Sequence, residues 1–134
     1  MGKNKGKNNQ RKDPFTNVKT MGREGMRIMQ DIAFGNFNFY NDGHIFRNLD
    51  FVKAVITEID KRLLDLHIHI TGIQYAYGNS NDPAVVNLLY RDQRSYEAYS
   101  LMKDTMYKIL MSGGDTGFLL VLCNTLPAYK YNLR

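Results

Sequence analysis

Two stretches of helical periodicity, separated by a short run of turn chemistry, constrain this chain more than anything else in it. Val52, Val55, Ile56, Ile59, Leu63, Leu66, Ile70, Ile73 and Tyr77 recur at helical spacing from about position 50 to 77. Val85, Leu89, Asp92, Tyr96, Tyr99, Met106 and Leu110 do the same from about 83 to 111. Between them stands Gly78-Asn-Ser-Asn-Asp-Pro83. Gly78 suits the left-handed position past a helix end, Asp82 an N-cap, and Pro83 a first helical turn. Two long helices joined by so short a connection pack antiparallel. A competing pattern lies inside the first run: Leu66-His-Ile-His-Ile-Thr71 alternates strictly and is rich in β-branched residues, which also fits a strand over 66–77. The continuous helix is the preferred reading.

Elsewhere the pattern is shorter-ranged. Val18, Met21, Gly25, Met29 and Ile32 mark one face of a helix over about 16–33, with Thr16 or Asn17 as its cap and Gly35 as its end. Gly22 and Gly25 fall near that face, where they permit close approach of a second helix. In the segment 35–46, Phe37 and Phe39 alternate with asparagines and Asn41-Asp42-Gly43 is strong turn chemistry, which predicts a small β-hairpin. After position 111, Ser112-Gly-Gly-Asp-Thr-Gly117 breaks the helix and Asp115 can cap a last one containing 118–126. Being apolar on all sides, that helix is expected in the core or at an interface. Pro127 stops it, and 128–134 reads as a tail. The expected fold class is therefore all-α: an antiparallel long-helix hairpin, an additional N-terminal helix, a small β-hairpin and a short buried C-terminal helix.

Charge is distributed unevenly. Lys3, Lys5, Lys7, Arg11 and Lys12 lie in the first twelve residues with no acid among them; the 13 other basic residues match the 13 Asp and Glu, so the whole +5 belongs to this stretch. It carries no apolar residue after Met1 and cannot repay its own ordering entropy. Residues 1–14 are thus expected to be a flexible basic arm ending at Asp13-Pro14, and 15–134 a single helical domain. The five cations would neutralise phosphates without reading sequence. The longest apolar run, 118–123, is far shorter than the ~20 residues of a membrane span. The basic start is followed by polar residues rather than the apolar stretch of a secretory signal. Gly6 stands where a myristoylation motif needs Ser or Thr. One cysteine, Cys123, excludes an internal disulfide and fits a reducing compartment. A cytoplasmic location, or one within a virus particle, is expected, with no membrane partner.

Chemistry-bearing clusters are few. Asp65, His67 and His69 form the one candidate acid–base or metal group. On a strand both histidines would face one way; on a helix they diverge, and Asp65 meets His69 at i,i+4. Neither arrangement supplies a third ligand, so no metal and no cofactor are expected. Ser112–Gly117 lacks the Lys-Ser/Thr ending of a phosphate-binding loop and reads as a linker. No Gly-x-Ser-x-Gly, His-Glu-x-x-His, paired-cysteine or dinucleotide motif is present. Phe37, Phe39, Tyr96 and Tyr99 are bulky and amphipathic enough for an oligomer interface.

These features favour a non-enzymatic structural or assembly protein of a larger, homo-oligomeric nucleoprotein complex. A virus or phage particle component is its concrete form. The arm would contact nucleic acid, DNA or RNA, or a neighbouring subunit. The alternatives are a free-standing nucleic-acid-binding regulator, and a small enzyme or ligand-binding domain using Asp65, His67 and His69.

Overall fold

A computed structural model describes residues 17–133. The basic arm, and with it Lys3, Lys5, Lys7, Arg11, Lys12 and the expected turn at Asp13-Pro14, lies outside the described residues. Among the described residues the chain is mostly helical and has no strand.

The first helix, α1 (Val18–Ala33), begins where the Asn17 side chain accepts the Thr20 N–H at 3.1 Å, satisfying one orphan donor of the first turn. It ends at Gly35, whose φ of +77° only glycine adopts without strain. Its buried face holds Met21, Met26, Ile28, Met29 and Ile32. Gly22 and Gly25 sit on that face for a steric reason. A Cβ at Gly25 would lie 2.2 Å from Val55 Cγ2, and one at Gly22 3.0 Å from Glu58 Cβ. The second helix of this close contact is the long one that carries Val55 and Glu58.

The expected β-hairpin at 35–46 is replaced by a short helix, α2 (Phe39–Asp42), running into a 3₁₀ turn at Gly43–Arg47. The cause is local. Asparagine serves hairpin turns and helix N-caps alike, and here the Asn38 side chain accepts the N–H groups of both Tyr40 and Asn41. Gly43 has φ −73°, an ordinary right-handed value, so the positive-φ turn that a two-residue hairpin needs is never made. The turn inserts Phe46 fully into the core, edge-on to Phe51 with ring centroids 5.3 Å apart.

The long helices α3 (Leu49–Tyr77) and α4 (Pro83–Met111) each run 29 residues without interruption, so 66–77 is helix and not strand. Asn48 caps α3 and Asp82 caps α4, with Pro83 in its first turn. Gly78, however, is right-handed (φ −58°), so α3 ends without the left-handed glycine expected there. Arg62 bonds Tyr99, His69 bonds Asp92, and Lys103 reaches Asp60 at 2.6 Å, which fixes the helices antiparallel. That register sets Val52 opposite Ile109, Val55 opposite Met106 and Ile59 opposite Met102, all buried. The spacing of these layers alternates three and four, the seam of a coiled-coil pair.

The chain then closes on itself. A 3₁₀ turn at Thr116–Phe118, capped by Asp115, leads into α5 (Leu119–Thr125) and a further 3₁₀ turn at Leu126–Tyr129. Leu119, Leu122 and Leu126 are fully buried, whereas Leu120 and Val121 remain about half exposed, so part of the apolar surface expected to be buried here is open within the chain. The expected tail is packed: Leu133 is buried, and Asn132 offers its carbonyl to the Ser95 hydroxyl.

Candidate functional site

The two long helices do not present a uniform seam. Toward the connection, the register replaces apolar layers with two polar ones, Arg62 with Tyr99 and His69 with Asp92, and a mixed one between them, Leu66 with Ser95. Beside these layers opens a groove of about 460 Å³, lined from α3 by Glu58, Lys61, Arg62, Asp65, Leu66 and His69 and from α4 by Arg91, Asp92, Ser95 and Tyr99. Helical spacing explains the α3 wall, because 58, 62, 65 and 69 recur every three or four residues and share one face.

Charges in the groove are largely paired. Glu58 accepts from Arg62 at 3.2 Å and holds Lys61 at 3.6 Å. Arg62 also donates to the Tyr99 hydroxyl at 3.2 Å. Burial alone would lower the Arg62 pKa, but its bonds to Tyr99 and Glu58 outweigh that and hold it above its ordinary value. Asp92, only 8 % exposed, would be a costly buried carboxylate without its bond to His69 Nδ1. That bond leaves Nε2 as the ring nitrogen His69 can offer to a guest. The wall can therefore offer one hydrogen bond at Nε2, in a groove that Lys61 and Arg91 also line.

The residues singled out from the sequence are only partly brought together. Asp65 and His69 line the same groove, as i,i+4 neighbours on a helix do, while His67 faces a different hollow of about 420 Å³ with Ile70, Gln93, Tyr96 and Glu97. Asp92, from the other helix, is the partner His69 takes. Among the described residues no group of three His, Cys, Asp or Glu is placed to hold a metal ion. Phe37 and Phe39 are half-buried against the core, and Tyr96 is partly exposed on α4. Tyr99 is buried within the chain against Arg62, whose guanidinium lies 5.8 Å from its ring centre. Sequence reasoning misses Asp92 and Ser95 as site residues. The only signal for Asp92 is a polar residue recurring at core spacing in the second run, where it passes for part of the stripe.

No family model, curated protein or solved structure matches the chain. No helix among the described residues is long and apolar enough to cross a membrane.

Proposed function

We propose that this chain is a non-enzymatic assembly subunit of an oligomeric nucleoprotein complex, with a virus or phage particle component as its concrete form. The observation that carries the reading is the half of the long hairpin nearest the connection. Beyond Ile59, α3 buries only Ile73, and before Asp92, α4 buries nothing. Yet this half displays Leu64, Ile68, Tyr75, Tyr77, Val86 and Tyr90 to solvent. Leu64, Ile68 and Tyr75 share one face of α3, and a stripe of large apolar side chains left open on a helix suits a surface that another protein covers. The charge pattern supports the nucleic-acid half of the reading: a body of balanced charge, and five cations in the first twelve residues.

The test is deletion of residues 1–12, which removes five positive charges and no negative one. The full chain retains DNA or RNA at low salt, and its affinity falls log-linearly with salt at a slope no steeper than about −4.5 on B-DNA. The deletion loses that binding while keeping its helical circular dichroism and its particle size. Equal binding by both forms overturns the arm's role. A monomer at all concentrations in light scattering overturns assembly and favours a free-standing regulator.

A further inference from the structure

Five positions on α3, Lys61, Leu64, Ile68, Gly72 and Tyr75, fall within an arc of about 80°, with Lys61 toward the edge that also borders the groove to α4. Leu64 is 58 % exposed, Ile68 61 % and Tyr75 94 %. Gly72 is the odd member. A Cβ there would meet nothing within 4 Å, so nothing inside the chain calls for glycine, although glycine weakens a helix interior. The spacing is symmetric about Ile68: Leu64 and Gly72 stand four residues to either side, Lys61 and Tyr75 seven.

We propose that this stripe is the two-fold contact of a homodimer, two α3 helices crossing antiparallel at Ile68. The proposal rests on the assembly reading above and names the partner as a second copy of this chain. A two-fold contact must be self-complementary, each residue meeting its mirror position. Here the symmetry sets Ile68 on Ile68 of the second copy and Leu64 into the gap at Gly72, a large side chain over the one position with none. It sets the Lys61 ammonium against the Tyr75 ring, an attraction of cation for π-face in place of two like charges. The exposed parts of these side chains come to roughly 500 Å² per copy, so complete coverage of the stripe would bury up to about 1,000 Å² across the pair, the lower bound for a specific interface.

The experiment uses the full chain and sedimentation equilibrium. Ile68→Glu buries two like charges on the axis, and Gly72→Leu drives two leucines together; each is expected to abolish the dimer with unchanged helical circular dichroism. In a Cys123→Ala background, Ile68→Cys forms a disulfide-linked dimer under mild oxidation, whereas Gln93→Cys, exposed on α4 and off the stripe, does not. If the wild-type chain assembles but neither Ile68→Glu nor Gly72→Leu changes its size, this contact is wrong while the assembly reading stands. If the wild-type chain is monomeric at its highest soluble concentration, both fall. Equal cross-linking at 68 and 93 marks random collision and overturns the two-fold axis.

Discussion

Glycines at three positions of the same two helices do opposite things, and their neighbours say which. At Gly25 an added methyl would collide with Val55, so Gly25→Ala overpacks the α1–α3 contact and costs about 1–3 kcal/mol. Gly22 is a milder case, since its neighbours lie at 3.0 Å and beyond. At Gly72 the methyl enters open space, so in the monomer Gly72→Ala raises stability by up to about 1 kcal/mol. Urea denaturation at a concentration where the chain is monomeric checks both signs, and a destabilising Gly72→Ala there would mean that the chain itself needs the glycine. The first pair was legible in the sequence, because both glycines fall near an apolar stripe. The polar residues of the seam were not. Tyr96 and Leu110 have the bulk that suggests a core position, but the seam takes Ser95 and Ile109 instead. Ser95 is buried because the returning C-terminal segment brings it the Asn132 carbonyl, a partner 37 residues away that no local pattern announces.

At the scale of elements, the long hairpin was readable because periodicity summed over 29 residues outweighs a six-residue alternation. Ile70→Pro is the direct check. Ile70 lies in the interior of α3, so proline removes a helical donor and clashes with the preceding turn, costing ~3 kcal/mol or more. Retained stability in urea would contradict the continuous helix. Short elements were less legible, since one asparagine decides between hairpin and helix at 38–43 and both outcomes satisfy its chemistry. The C-terminal helix was legible too, but not the packing of the segment beyond it: Arg94 donates to the Ala128 carbonyl at 3.1 Å and stacks on the Tyr129 ring at 4.1 Å. Cys123 reports on this corner. Burial raises its thiol above the usual 9.0, so the fold favours the protonated form. The associated stability is whole below the unfolded thiol's titration and is lost as pH rises through the higher folded value. Alkylation of the native protein should therefore be slow near neutrality, with its midpoint displaced above 9.0. A midpoint at or below that value would place the thiol in water.

For the whole molecule, the same pair of helices belongs to two environments. Near α1 and α5 its layers are apolar and enclosed, with Val52, Val55, Ile59, Met102, Met106 and Ile109 buried; toward the connection they are polar or half-open. Each helix is about 43 Å long at 1.5 Å per residue. The best-packed layers are therefore the ones whose partners are most distant along the chain, as Val52 and Ile109 are, and the least packed are those nearest the turn. Such a hairpin gains little by closing like a zipper from its loop, because the first layers to meet bury the least. Its ends should also loosen independently in the native state, opening by fraying at the connection long before the base gives way. Amide hydrogen exchange on the monomeric protein would show this as a gradient along one unbroken helix. Amides near Ile59 should exchange only through global unfolding, and those from Gly72 to Tyr77 through local opening orders of magnitude more often. In the proposed assembly a partner would cover the most easily opened part of the molecule, and protection there would rise without any change at the base.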